Sequence, residues 1–296
     1  GVPYELVGHV LGASLLAGAC TVMVRQVQVF MPQHGWLACL VVLSLPALNA
    51  WRDEILREDG YWLFILIAFW LASRRPTEIN LTNAVGPAAA LGIAAAFRVE
   101  ALAFYPTLLL WQWHALGAYR TAGNSLALFS LPLLGLTIFA SLFVFDVINL
   151  ERLERYWSYV SPLDSYERFE VRAERLGKAA LSHYAWDEAD RVLLFGLIGL
   201  LISKFFTFQG VLAAPLLYGL AHLGRKAFPL QPFGWLFLTY TCVVVLFTTS
   251  MFFASDRYMA PLGILSIPLI VFGLSLMMQR FQRLRALFIV LIALTA

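Results

Sequence analysis

The stretch WLACLVVLSLPALNA (residues 36–50), WRDEILREDG (51–60), YWLFILIAFWLAS (61–73) decides how this chain is read. Two continuous apolar runs, Trp36–Ala50 and Tyr61–Ser73, flank the segment Trp51–Tyr61, in which six of eleven residues are charged. Membrane β-strands alternate apolar and polar side chains, so unbroken runs exclude a barrel and imply helices. Charge is expensive at membrane depth, and a charged wedge between spans is either a solvated loop or a functional segment. Both flanking runs are short for a span of about 20 residues. The charged segment is therefore expected to dip partly below the headgroups.

The rest of the chain repeats this pattern. Of its 296 residues, 60% are hydrophobic and 13% charged, and the mean hydropathy is +0.76. A soluble domain carries about 25% charged residues. The 23 Phe, 9 Trp and 11 Tyr suit lipid-facing helices with aromatic belts. The fold class is all-α, a polytopic helical integral membrane protein. Cys20, Cys39 and Cys242 all fall inside apolar runs and serve as small packing residues. His9, His34, His114, His183 and His222 are isolated and lack metal-ligand spacing, so no metal site is assigned. There is no P-loop and no G-x-S-x-G, and nothing supports a nucleic-acid partner.

Spans are expected at Glu5–Val24, Trp36–Ala50, Tyr61–Ser73, Ala84–Phe97, Ala101–Ala118, Ser125–Val147, about Gln209–Leu223, Gly234–Ser255 and Arg257–Met278, with a last one beginning at Ala286. An interfacial helix is expected before Gln209, and Lys204 within it is read as snorkelling to the surface. Three regions follow: residues 1–147 with the charged segment 51–60, an amphipathic extramembrane loop 148–190, and C-terminal spans 191–296. A start at Gly1 and a stop at Ala296 within an apolar run lead us to expect a fragment, lacking at least one preceding span.

Lysine and arginine in short loops set the orientation. Arg25, Arg74-Arg75, Arg120, Arg225-Lys226 and Arg280/Arg283/Arg285 go to the cytoplasmic side. Alternation then places 51–60, 98–100, 148–190 and 255–258 on the opposite face. Arginines and carboxylates gathered there suit a lipid with an anionic phosphate head. Arginine binds phosphate bidentately, and a carboxylate can orient it or act as general base. The candidate substrate-binding residues are Arg52, Arg57, Arg98, Arg257 and Tyr258, and the candidate catalytic carboxylates are Asp53, Asp59 and Glu100. The competing reading makes Arg98–Glu100 and Asp53–Arg57 self-satisfied structural pairs. If 51–60 is helical, Gly60 is expected to end it.

The order LSLPALNAWRDEILREDGYW (43–62), AAAFRVEALAFYP (94–106) and SDRYMAPLGILSIPL (255–269) resembles the GT-C glycosyltransferases, polytopic enzymes that use polyprenyl-phosphate sugars. The bacterial members include mannose- and arabinose-transferring kinds. The resemblance implies a GT-C-like helical bundle with one extramembrane loop. It implies inverting transfer of a sugar from a polyprenyl-phosphate donor to a glycan, lipid or protein acceptor. The setting would be the periplasmic face of a bacterial inner membrane. The family's main acidic motif follows its first span, so the resemblance puts the principal base before Gly1 and makes Asp53, Asp59 and Glu100 orienting or metal-proximal acids. Metal dependence varies in the family, which leaves a divalent metal ion open as a cofactor. Alternatives are an O-antigen polymerase or ligase, a lipid or solute transporter, and a membrane scaffold.

Overall fold

The computed structural model describes residues 3–50, 58–74, 81–116, 161–223 and 231–294, and every regular element among them is helical. Four helical stretches are long and apolar enough to cross a membrane: Tyr4–Phe30, Trp186–Ala221, Pro232–Met251 and Asp256–Arg280. By length and composition the chain is thus a multi-span helical membrane protein. The span expected at 125–147 and residues 148–160 of the expected loop lie outside the described residues.

Helix α1 (Tyr4–Phe30) turns through Pro32–His34 into α2 (Gly35–Ser44) and α3 (Pro46–Asn49). The single span expected over Trp36–Ala50 is therefore broken. Pro46 brings no N–H and its ring forces Leu45 into an extended conformation, ψ 113°. Helices α4 (Glu58–Arg74) and α5 (Leu81–Phe97) pack together antiparallel, and α6 (Phe104–Leu116) follows a sharp connection at Arg98. Gly60 does not end a helix, as expected, but lies inside α4. A Cβ there would overlap the Phe97 ring, so this glycine permits close approach to α5.

Helix α7 (Pro162–Ala180) is the amphipathic part of the expected loop. Ser165, Phe169, Ala173 and Gly177 form its buried stripe at i,i+4 spacing. On its outer side Lys178 donates to Glu174 and holds that carboxyl below its ordinary range. Helix α8 (Ala189–Gln209) breaks at Gly210, whose φ is 53°, and resumes as α9 (Ala213–Ala221). The apolar helix thus begins some 20 residues before the span expected at Gln209–Leu223, and RVLLFGLIGLLIS (191–203) contains nothing to interrupt it.

Helix α10 (Gln231–Met251) leads through a tight turn into α11 (Asp256–Arg280), and α12 (Arg285–Ala293) ends the described chain. α11 is the core of the bundle, since every residue from Met259 to Pro268 is buried. Residues 204–221 run alongside it in the same direction. Lys204 meets Asp256, Gln209 Nε2 donates to Ser266 Oγ at 3.1 Å, and Gly219 lies against Leu269 and Gly273. A Cβ on Gly219 would sit 2.8 Å from the Leu269 carbonyl oxygen, and one on Gly273 would overlap that of Pro215. Small residues here bring two backbones into contact, a common means of joining membrane helices.

Candidate functional site

Arg98 is the centre of the charged residues. It ends α5 in an extended conformation, φ −149° and ψ 124°, before the 3-10 turn Val99–Ala103. Its N–H donates to Ala94 O at 2.9 Å and its carbonyl accepts from Ala101 N–H at 3.0 Å, which fixes the backbone on both sides. Antiparallel packing of α4 on α5 then brings the first turn of α4 beside the guanidinium. Arg98 Nη1 lies 3.2 Å from Glu58 Oε1, and Nη2 lies 2.7 Å from Glu100 Oε1. Nε donates to the second Glu100 oxygen at 3.4 Å, so both Glu100 oxygens are held by the Nε–Nη2 edge of the guanidinium.

Aromatic faces complete the enclosure. The guanidinium carbon stands 4.7 Å from the Tyr258 ring centroid and 5.7 Å from that of Tyr61, within cation–π range. Buried Tyr240 stacks on Phe104 with centroids 6.2 Å apart and interacts electrostatically with Arg98 and Glu100. The side chains of Arg98 and Glu58 are 3% and 6% exposed, whereas Glu100 is 32% exposed. Glu100 is thus the carboxylate of this pair that an approaching molecule can reach.

Asp59 behaves differently. It is buried, and its Oδ1 accepts no hydrogen bond. Its neighbours Tyr61 Oη and Trp62 Nε1 are likewise buried without partners. A carboxylate with one oxygen left this way carries a desolvation penalty that is smaller for a neutral amide. Asp59→Asn is therefore expected to raise the unfolding temperature of the detergent-purified protein by a few degrees at neutral pH, for a gain of roughly 1–3 kcal/mol. A lowered midpoint, read by a thermal unfolding scan, would show that Asp59 is engaged as a charge.

The cluster is set below the ends of taller helices. A Cβ on Gly18 would lie 3.2 Å from Leu63, and Gln26 Nε2 donates to Leu66 O at 2.6 Å, so α1 runs parallel to α4. The first turns of α1 therefore rise past Asp59 by roughly 15 Å at 1.5 Å per residue. Leu6, Val7, Val10 and Leu11 are exposed there. Likewise α10 continues from Tyr240 to Met251, roughly 16 Å further.

Helix α7 packs against the turn between α10 and α11. At the α10–α11 turn Phe252 adopts φ 56°, a strained conformation for a bulky residue. Its ring stacks on Phe169 of α7 at 5.4 Å, and Arg172 of α7 donates to Ser250 O at 2.8 Å. Phe247 contacts Tyr258 with centroids 4.4 Å apart, linking this turn to the cation–π face on Arg98. Lys204 of α8 donates to Asp256 Oδ1 at 2.6 Å and to Ala254 O at 2.7 Å. The snorkelling expected for Lys204 is replaced by this clasp on the first turn of α11. Both partners are substantially exposed, so the clasp contributes little stability.

Of the residues singled out from sequence, Arg98, Glu100 and Tyr258 come together. Asp59 shares the first turn of α4 with Glu58, and Arg257 is exposed on the first turn of α11 beside Tyr258. Arg52, Asp53 and Arg57 lie outside the described residues. Sequence reasoning passed over Glu58 as a partner of Arg98, and gave no role to Tyr61 and Tyr240. Glu58 was visible as part of the charged wedge, but Tyr240, inside an apolar run, carried no signal. No metal-binding group of three or more His, Cys, Asp or Glu occurs among the described residues. No family model matches the chain, and no curated protein or solved structure matches it.

Proposed function

We propose that this chain is the membrane part of a GT-C-like glycosyltransferase that takes its sugar from a polyprenyl phosphate, with its reacting face periplasmic in a bacterial inner membrane. One observation carries the reading: Glu100 is the partly exposed carboxylate of a recessed cluster, and both its oxygens are held by the Nε–Nη2 edge of Arg98. Glu100 takes the proton from the acceptor hydroxyl or amine. The acceptor atom bonds to the anomeric carbon as the carbon–oxygen bond to phosphate breaks, and the configuration inverts. The leaving polyprenyl phosphate carries the bonding electrons, and Arg257 offsets its charge. Arg98, already paired with two carboxylates, positions Glu100 and is not a phosphate contact. Tyr258, whose ring holds Arg98 and meets Phe247, helps to wall the same mouth.

A second reading follows from Asp59. A buried carboxylate with one oxygen left without a hydrogen bond, below the helix ends, is the kind of group an ion-coupled transporter uses. The two readings part in one experiment. The purified protein in proteoliposomes is given polyprenyl-phosphate sugars with a mixture of lipid and glycan acceptors. The transferase reading expects free polyprenyl phosphate to accumulate with sugar on an acceptor. Pulling the intact lipid or a solute across the bilayer, with no bond broken, would replace it by the transporter.

A further inference from the structure

At the end of the bundle opposite Arg98, two helix–turn–helix connections meet. Single 3-10 turns, Pro32–His34 and Gln282–Leu284, join α1 to α2 and α11 to α12. Between them lies a groove of about 410 Å³ whose lining includes Gln33, His34, Ser275, Gln279, Gln282 and Arg285, with Trp36 beside them. The volume is in the range of small-molecule sites.

The chemistry of this groove favours an anion. It contains a guanidinium, an imidazole and three side-chain amides, and no carboxylate lines it. The surrounding sequence is equally one-sided, with no Asp or Glu anywhere in residues 6–52 or 257–296, while Arg25, Arg280, Arg283 and Arg285 flank the two turns. Helices α2 and α12 both start here without a side-chain cap, so the positive ends of their dipoles are not offset by a side chain. The opposing carbonyl ends of α1 and α11 are partly satisfied, because Met31 N–H donates to Val27 O at 2.7 Å and Phe281 N–H to Met277 O at 2.8 Å.

Its position says which anion. Two of the membrane-crossing stretches, α1 and α11, terminate at these turns. Exposed Trp36 stands at the rim, the placement tryptophan takes at headgroup level. Arginine-rich short turns mark this as the cytoplasmic end, where anionic phospholipids concentrate and basic pockets between helices hold their headgroups.

We infer that this groove binds the phosphodiester headgroup of an anionic phospholipid. Arg285 and His34 meet the phosphate oxygens, and the glutamine amides meet the ester and headgroup oxygens. The site is independent of the chemistry proposed at Glu100.

The test uses the detergent-purified chain titrated with phosphatidylglycerol, phosphatidylcholine or inorganic phosphate. Thermal unfolding and native mass spectrometry report the bound species. Phosphatidylglycerol is expected to raise the midpoint and stay bound, while the other two do neither. Arg285→Gln is expected to weaken the phosphatidylglycerol effect about fivefold, the factor for losing one cation at an anionic surface. Arg191→Gln, on α8 at the other end of the bundle, is expected to keep the wild-type response. If Arg285→Gln fails to purify, the double variant His34→Gln with Gln282→Ala is expected to show the same loss. Equal responses to phosphatidylcholine would overturn the site, as would an equal response to inorganic phosphate or wild-type affinity in the groove variants.

Discussion

Arg98→Ala is expected to destabilise the bundle by about 3–5 kcal/mol, the usual result of removing one partner from a buried ion pair. The reason lies in what the substitution leaves behind. Glu58 is 6% exposed at its side chain and would lose its ion-pair partner in a place water barely reaches. Glu100 would lose both guanidinium bonds that hold it, and the Tyr258 ring would lose its cation. Membrane insertion should survive, because it depends on the apolar helices and not on this pair. The double substitution Arg98→Met with Glu58→Leu is the informative companion. Replacing both charges by apolar groups of similar volume is often neutral or better, so the double variant should regain most of the lost midpoint while leaving sugar transfer abolished. Unfolding scans of both variants, beside a transfer assay, separate the structural role of the pair from its positioning of Glu100. A double variant as unstable as Arg98→Ala would show that the aromatic contacts, and not the unpaired Glu58, carry the stability.

Gly273→Val is the second large effect. The backbones of α9 and α11 touch at this point, and a Cβ on Gly273 would overlap the Pro215 carbonyl and crowd Gly219 N–H. Neither obstacle is a side chain that can rotate away. The substitution therefore requires the helices to separate, and overpacking of this kind costs about 1–3 kcal/mol or more. It should lower the unfolding midpoint and expose the α9–α11 seam to proteolysis between residues 210 and 221. Gly196→Val is the control, since a Cβ at Gly196 meets nothing within 4 Å. Equal midpoints for the two variants would mean that α9 does not seat on α11 as described.

Much of this architecture was legible in the residues. The charged wedge between two apolar runs is described only from Glu58 on, and the ion pair of Arg98 with Glu100 is the one the competing, structural reading of those residues expected. The short spans on either side of 51–60 lead to the expectation that this segment dips below the headgroups; of it only residues 58–60 are described, and α1 and α10 extend past Asp59 and Tyr240. What stayed hidden depended on tertiary contact. Glu58 and Arg98 are forty positions apart, and only the packing of α4 on α5 shows that they pair. Gly60 reads as a helix terminator because glycine is common there, but its missing Cβ is needed instead for the Phe97 ring. Lys204 reads as a snorkelling side chain until the first turn of α11 supplies Asp256. The break at Leu45–Pro46 was foreshadowed by proline alone, whereas the break at Gly210 was not, because glycines at 196 and 199 in the same run leave α8 intact.

The most direct measurement of the central claim is the transfer rate of Glu100→Gln in proteoliposomes supplied with a polyprenyl-phosphate sugar. The substitution keeps the shape but removes the base together with its charge, and the new amide nitrogen cannot accept from Arg98, so one of the two bonds to the guanidinium is lost as well. The account predicts a rate lowered by about 100-fold or more, the range for losing a general base, with an unfolding midpoint lowered less than in Arg98→Ala, because Arg98 keeps its pairing with Glu58. Sugar transfer by Glu100→Gln at the wild-type rate would contradict it.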